Sequence, residues 1–164
     1  MSTVEPEGEQ ALQPAMSVIA QYVKDLSFEN PRAPESLRPQ ETAPQISVSV
    51  NVSSRQRSAT EFEVDLRLDV NAKVGSDVVF NVELLYGGLF TVEHVPQQHL
   101  HPFVNIECPR LLFPFARQVV ADAVIRGGFP PLLIDPIDFV ALYQQYIARL
   151  QQQMQQQQAD GAAN

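Results

Sequence analysis

The sequence has a single cysteine, few basic residues and no long apolar run, and each of these shortages excludes a class of protein. Cys108 is the only cysteine, which excludes an intramolecular disulfide framework. Eleven Lys and Arg stand against 19 Asp and Glu, a net charge of −8, so the protein repels nucleic acid and attracts basic partners. Arg117, Gln118 and Asp122 break the most apolar stretch well short of the roughly 18 residues of a membrane span. The acidic start Met1–Gln10 differs from a secretory signal, so we expect a cytoplasmic protein without membrane insertion.

The chain length favours a single domain with flexible ends. A chain of 164 residues is long enough to bury one hydrophobic core without disulfides or metals. The acidic segment 1–14 and the glutamine- and alanine-rich segment 153–164 have little to bury, so we expect a flexible N-terminus and a disordered tail. A single domain is therefore predicted over residues 15–152.

Apolar and polar residues alternate over long parts of the chain, and this pattern predicts strands. Ala15–Glu29 is rich in β-branched and aromatic residues and is the predicted first strand. Four prolines in Pro31–Pro44 make the next segment a stiff crossover that is unsuited to a ladder. Three further strands, joined by short turns, are predicted over residues 46–52, 62–74 and 77–90. If the first strand joins this meander through the crossover, the result is a four-stranded antiparallel Greek-key sheet.

The second half of the chain is predicted to form two helices. Val92–Pro109 is expected to be a loop, because Pro114 is tolerated only in a first turn and so puts the helix start near Leu112. This helix ends before Gly127-Gly128. Asp138 is the predicted N-cap of the last helix, whose apolar stripe includes two tyrosines. The predicted fold class is α+β, with both helices packed on one face of the sheet.

The first predicted helix carries more apolar surface than one sheet needs. Phe113, Ala121 and Ile125 widen its apolar arc, and a helix whose arc is much wider than ~100° usually has two partners. Subunit association is the simplest source of the second partner. We assign the predicted oligomer interface to five residues of this helix: Leu112, Ala116, Val120, Ala123 and Val124.

The sequence contains no pattern typical of a catalytic, metal or phosphate site. Glu93, His94, His99, His101 and Cys108 are of metal-ligand types, but they lack a CxxC pair or two histidines one helical turn apart. Cys108 is predicted to be a small buried hydrophobe with an unreactive thiol. Neither a GxSxG motif nor a glycine-rich phosphate loop occurs. We therefore predict that the protein is not an enzyme and that it uses no metal or other cofactor.

Two surface features leave two interpretations each. Asp25, Glu29 and Glu83 fall on the polar side of the predicted sheet, where they either keep the protein soluble or form a docking surface for a basic partner. The stiff crossover and the tyrosines of the last helix either belong to the core or leave an apolar groove open to a ligand. Composition leaves both pairs of interpretations open.

Four segments of the sequence resemble the SecB family of bacterial protein-export chaperones. They are YVKDLSFENP, GGLF, CPRLLFPFAR and RGGFPPLLIDPIDFVALY, which begin at Tyr22, Gly87, Cys108 and Arg126. The resemblance extends over Met16–Gln152. It implies an ATP-independent chaperone that binds unfolded preproteins and delivers them to the SecA motor. It also implies a homotetramer that is built as a dimer of dimers.

The resemblance also implies two sets of site residues. Asp25, Glu29 and Glu83 match the acidic positions that the family uses to bind SecA. Asn81 departs from the leucine that the family has two residues before that glutamate. The predicted groove for unfolded clients is formed by the crossover, the second strand and the last helix, with Phe28, Leu37, Ile46, Val48, Leu142, Tyr143 and Tyr146. The alternative function is an oligomeric small-ligand carrier or protein-interaction module with the same fold.

Overall fold

The computed structural model describes residues 11–163 as one sheet and two long helices. The four strands are β1 (Ala15–Glu29), β2 (Gln45–Gln56), β3 (Glu61–Val74) and β4 (Asp77–Glu93). The helices are α1 (Gln97–Arg126) and α2 (Phe139–Ala162). A short 3-10 turn, Glu35–Leu37, lies in the crossover between β1 and β2. Residues 1–10 of the predicted flexible N-terminus lie outside the described part of the chain.

The strands form one antiparallel sheet in the order β1-β4-β3-β2. β2, β3 and β4 follow one another as hairpins, while the crossover carries the chain from β1 to the far edge of the sheet. The predicted Greek-key arrangement is confirmed, and it leaves β1 and β2 as the two edge strands. The β2–β3 ladder is regular, whereas β1 contains two bulges, where Ile19 and Lys24 have no partner residue on β4.

The alternation of residues in β3 and β4 gives the sheet an apolar inner face and a polar outer face. On the inner face, buried side chains sit opposite each other on the two strands, as do Leu68 and Leu84. On the outer face, Asp69 sits opposite Glu83. Helix α1 lies across the inner face, mainly over β3 and β4. The hydrophobic core is therefore the layer between this face and α1.

Helix α1 begins at Gln97, so the prediction of a loop up to Pro109 was wrong. Pro102, Pro109 and Pro114 lie inside the helix, and each costs about 3 kcal/mol in a helix interior. The helix persists because every fourth residue is buried against the sheet, and each large apolar side chain buried contributes about 1.5–3 kcal/mol. These buried residues are Val104, Cys108, Leu112, Ala116, Val120 and Val124.

This buried row overturns most of the predicted oligomer interface. Four of its five residues are at most 1% exposed and pack in the subunit's own core: Leu112, Ala116, Val120 and Val124. Side chains that are already covered by their own sheet cannot contact a second subunit. Ala123 is only partly buried. The opposite side of α1 exposes Phe115 and Ile125, at 51% and 47%, so an interface on α1 would use that outward side.

Asp138 caps α2, as predicted. Its carboxylate accepts a hydrogen bond from the backbone N–H of Ala141 at 3.0 Å. α2 packs on α1, and the ring centroids of Phe113 and Phe139 lie 6.0 Å apart in an edge-to-face pair. The helix continues through the glutamine tract to Ala162, so the segment predicted as a disordered tail is helical up to that residue. No helix within residues 11–163 is long and apolar enough to cross a membrane.

Candidate binding groove and acidic sheet face

An apolar cleft opens between the edge strand β2 and helix α2. Val50 and Val52 form one wall, and Leu142, Tyr143 and Tyr146 form the other, around a space of about 430 Å³. The period of two in β2 directs both valines to the inner face of the sheet. The i, i+3 and i+4 spacings in α2 direct its three residues to one side of the helix. Two regular elements therefore hold the walls of the cleft.

A second cleft continues along β2 toward its first residue. Ile46, Val48 and Val50 line it from the strand, and Leu132 and Ile137 line it from the linker before α2, around a space of about 850 Å³. Val50 borders both clefts, so they form one continuous depression, which we call the β2 groove. Ile46 and Val48 are 41% and 40% exposed, because α1 lies over the central strands rather than over this edge.

The β2 groove contains five of the seven residues that were predicted for it: Ile46, Val48, Leu142, Tyr143 and Tyr146. Phe28 and Leu37 lie instead at the end of α1, where Phe28 covers Gly127 and Leu37 covers Gly128. Phe28 and Val48 share a row of the sheet but lie on its two edge strands. Three strand spacings separate them, about 14 Å. The structure therefore does not bring Phe28 or Leu37 into the β2 groove.

The remaining residues of the β2 groove were not predicted from the sequence. Val50 and Val52 continue the alternation of β2, so the signal that identifies them was present. Leu132 and Ile137 belong to a proline-rich linker, which has no periodicity that reveals its path. Arg149 follows Tyr146 by almost one turn of α2 and also lines the cleft, but a single arginine in a glutamine-rich helix gives no sequence signal.

A hydrogen bond between α1 and α2 positions Tyr143 in the β2 groove. Nδ1 of His101 lies 2.8 Å from the phenolic oxygen of Tyr143, and the ring centroids are 5.6 Å apart. Burial, and then the proximity of Tyr146, raise the pKa of Tyr143 above its ordinary value. The phenol is therefore protonated at neutral pH and holds α2 against α1. His101, one of the metal-ligand residue types, here makes a contact beside the groove.

Asp25, Glu29 and Glu83 lie together on the outer face of the sheet. Glu83 sits opposite Ser27, in the row between those of Asp25 and Glu29. All three acidic residues are exposed. Within the described residues, Asp25 and Glu29 take part in no ion pair. The resemblance therefore selected three acids that form one patch, which we call the acidic face.

Arg67 on β3 neutralises part of the acidic face. Its guanidinium lies 3.1 Å from the carboxylate of Asp69 and 3.8 Å from that of Glu83. The hydrogen bond to Asp69 and the surrounding negative charge raise the pKa of Arg67. Beside this group, Asn71 donates a hydrogen bond to Asn81. Asn81, which departs from the family pattern, is therefore engaged within the sheet.

A paired cluster borders the acidic face. The bulge at Lys24 brings its ammonium group to Glu63 and, at 2.8 Å, to Asp65. Hydrogen bonds to Asp65 and Glu63 raise the pKa of Lys24, and the bond from Lys24 lowers the pKa of Glu63. Arg57 adds a second cation 3.5 Å from Glu63. Two cations and two anions balance here, so the unbalanced negative charge lies at Asp25 and Glu29 and in the group where Asp69 and Glu83 share Arg67.

The described residues hold no cluster suited to a metal ion. Within residues 11–163, no three His, Cys, Asp or Glu side chains are grouped to share one. Cys108 is buried, and its Sγ lies 3.5 Å from the sulfur of Met16. Burial, and then the charge of Glu107, raise the pKa of Cys108 to about 12. The thiol is therefore protonated at neutral pH, which is typical of an unreactive cysteine.

An apolar groove beside an open strand edge is typical of α+β proteins that bind other polypeptides. Comparison with known families agrees with this class. The family model described as Preprotein translocase subunit SecB matches residues 9–152. The chain belongs to the SecB family, and the resemblance found in the sequence is confirmed.

Curated relatives are similar over most of their length. The protein-export protein SecB of Rhodopseudomonas palustris strain HaA2 is 54% identical over 147 residues, which cover 90% of this chain and 93% of that protein. The SecB protein of Brucella anthropi is 56% identical over 139 residues, or 85% of each chain. Among solved structures, a SecB-like chaperone of Mycobacterium tuberculosis in complex with an antitoxin peptide aligns with a TM-score of 0.61 at 14% identity, over 75% of this chain and 91% of that one. The two proteins share the fold.

Proposed function

We propose that this protein is a cytoplasmic, ATP-independent chaperone of the Sec export pathway that binds unfolded precursor proteins and passes them to the SecA motor. The β2 groove carries this proposal, because it leaves apolar side chains open beside a complete sheet. An unfolded chain exposes the apolar side chains that such a groove binds, whereas a native protein buries them. Binding of the unfolded state alone draws the client away from folding and aggregation by mass action. This activity requires no catalysis.

The β2 groove is suited to weak, repeated contacts. Covering one large apolar side chain contributes at most about 1.5–3 kcal/mol, and Ile46 and Val48 are already more than half covered. One groove therefore holds a client weakly. A long client that occupies several grooves of one assembly gains affinity from effective concentration. Many weak contacts can also be released one after another, which suits transfer to a motor.

The proposed particle is a homotetramer that is built as a dimer of dimers. The edge strand β1 exposes Val18, Ile19 and Val23, and an apolar strand edge of this kind is a surface that another chain covers. The outward side of α1 exposes Phe115 and Ile125. Two separate apolar surfaces support two different subunit contacts, as a dimer of dimers requires.

The proposed SecA-binding residues are Asp25, Glu29 and Glu83. Their common position on the acidic face supports this role, and so does the unbalanced negative charge there. A basic partner surface would meet a complementary potential, which favours rapid and oriented association. The acidic face is on the outer side of the sheet and the β2 groove is on the inner side. One subunit therefore has room for SecA and a client together.

Two substitutions in β2 test the role of the groove. Val48→Asp introduces a charge into the groove, while Ser49→Asp introduces the same charge on the outer face one residue away. We expect Val48→Asp to weaken capture of an unfolded precursor by about tenfold or more, because a carboxylate is buried when the client binds. Ser49→Asp is the matched control and should capture like the wild type. Light scattering from a diluted, unfolded precursor without ATP measures capture.

The same experiment separates the chaperone from the alternative function. A wild-type protein that leaves aggregation unchanged, or a Val48→Asp variant that captures as well as Ser49→Asp, would contradict the proposal. Light scattering of the purified proteins should give the mass of four subunits for both variants. A small-ligand carrier encloses most of the surface of its ligand, so it would bind a small apolar compound and ignore the precursor.

A further inference from the structure

The β2 groove carries one charged side chain in each of its two clefts, and the two charges are opposite. Arg149 of α2 lines the cleft that contains Val52. Asp135 of the linker lines the cleft that contains Ile46. The other lining residues of both clefts are uncharged. The protein as a whole is acidic, because it has 19 acidic and 11 basic residues. The β2 groove differs from this average, because it carries one charge of each sign.

Neither charge is neutralised within the part of the chain that the structure describes. No ion pair among residues 11–163 includes Arg149 or Asp135. On a helix, the side chains three and four residues away are the nearest neighbours. For Arg149 these are all uncharged: Gln145, Tyr146, Gln152 and Gln153. The helix therefore supplies no carboxylate to Arg149, and the guanidinium remains available to a ligand.

The length of the groove limits the client segment that its two clefts hold together. The groove follows β2 from Ile46 to Val52, and Val50 borders both clefts. An extended chain rises about 3.3 Å per residue, so this stretch is about 20 Å long. A client in extended conformation spans it with about six residues. The inner four of these contact the apolar walls.

We infer that the β2 groove selects extended client segments that have an apolar centre of about four residues, a carboxylate at one end and a lysine or arginine at the other. The carboxylate pairs with Arg149, and the cation pairs with Asp135. The inference rests on the proposed function, because it specifies which segments of an unfolded precursor the groove holds. Each partly exposed ion pair changes the Kd by about twofold to fivefold. Apolar contacts supply most of the affinity, and the charges select the segment and its direction.

The net charge of the protein calls for a charge-balanced test. At a net charge of −8, the protein attracts any cationic peptide at long range. Two peptides with blocked termini and the same Leu-Phe-Val-Leu centre avoid this effect. One has Asp and Lys at its ends, and the other has Asn and Gln. Both have no net charge, so a difference between their Kd values reports on charges inside the groove.

Fluorescence anisotropy at near-physiological salt measures both Kd values. We expect the Asp/Lys peptide to bind the wild-type protein about fivefold to twentyfold more tightly than the Asn/Gln peptide. Arg149→Gln and Asp135→Asn should each remove part of this preference, and the double variant should bind the two peptides equally. Arg126→Gln removes an exposed arginine that lines neither cleft. It is the matched control and should keep the full preference.

Equal affinity of the wild-type protein for the two peptides overturns the inference, as does a preference that survives in the double variant. A wild-type protein that prevents aggregation but binds both peptides equally, or binds neither, retains the proposed function and loses only the inference. A wild-type protein that neither prevents aggregation nor binds either peptide contradicts the proposed function as well.

Discussion

The contact between Gly127 and Phe28 gives a quantitative prediction about the end of α1. Gly127 has an ordinary helical φ of −73°, so an alanine at this position strains no backbone. The added Cβ would lie closest to Cζ of Phe28, and 2.6 Å from Cε1 and 3.2 Å from Cε2, all well inside the usual carbon–carbon contact distance of about 3.5–4.0 Å. The ring of Phe28 must therefore move by more than about 1 Å.

Movement of this ring disturbs a cluster of three aromatic residues. Phe28 stacks on Phe80 with ring centroids 6.1 Å apart, and Phe80 lies 5.0 Å from Phe129. Overpacking of this kind costs about 1–3 kcal/mol. Replacing glycine by alanine recovers about 0.4–1 kcal/mol through the unfolded chain. We therefore expect Gly127→Ala to lower the free energy of unfolding by about 1–2 kcal/mol.

Urea unfolding at one fixed protein concentration measures this change, because the stability of an oligomer depends on concentration. Gly161→Ala is the matched control, since nothing lies within 4 Å of its added Cβ, and it should be neutral or slightly stabilising. In a Phe28→Ala background the overlap is absent, so Gly127→Ala should become neutral or stabilising. A Gly127→Ala variant as stable as the wild type, or one equally destabilised in both backgrounds, would refute the packing argument.

The buried thiol and the acidic face give two further predictions. Burial raises the pKa of Cys108 from 9.0 to about 12, so its contribution to stability is complete below pH 9 and is lost as the pH rises toward 12. The unfolding temperature of Cys108→Ala should therefore fall less steeply than that of the wild type across this range, and equal slopes would contradict the argument. Arg67→Gln frees Glu83 and should tighten the proposed binding of SecA about twofold to fivefold in calorimetric titration, while Asp25→Lys should weaken it. Weaker binding by Arg67→Gln would mean that Arg67 itself contacts the partner.

The β-structure was predicted from the sequence within a few residues. A long alternation of period two fits a half-buried strand and little else, so the bounds of β3 and the face of each side chain followed directly. The shared face of Asp25 and Glu29 also followed, because no bulge lies between them. The bulges at Ile19 and Lys24 were not predicted, because a bulge depends on how two strands coil together and leaves no pattern in one of them.

The start of helix α1 could not be predicted from the local sequence pattern. Its prolines argue against a helix before Leu112, and only the sheet supplies the burial of Val104 and Cys108 that outweighs them. The interface prediction failed for a related reason. A helix that is apolar on two sides does not reveal which side its own sheet covers. Leu112 faces inward and Phe115 faces outward, and only the packed structure distinguishes them.

The groove was predicted in part for the same physical reasons. Alternation assigns Ile46 and Val48 to the inner face, and β2 holds them at an edge of the sheet, away from the central strands that α1 mainly covers. The side chain of Phe28 also points to the inner face, but the face of a side chain does not show which edge of the sheet its strand forms. Arg149 and Asp135 lie far apart from β2 in the sequence, and only the tertiary fold brings them to the same groove.

The two borders of the sheet differ in regularity, and this matters for a protein that works among unfolded chains. Strands of other chains add readily to a straight, uninterrupted edge strand. Repeated addition of this kind would incorporate a chaperone into the aggregates that it prevents. The bulges at Ile19 and Lys24 interrupt β1 and make it a poor template for such growth. The regular edge, at β2, therefore lets a client strand add on one side of the sheet only, and addition does not continue from the opposite edge to a second client.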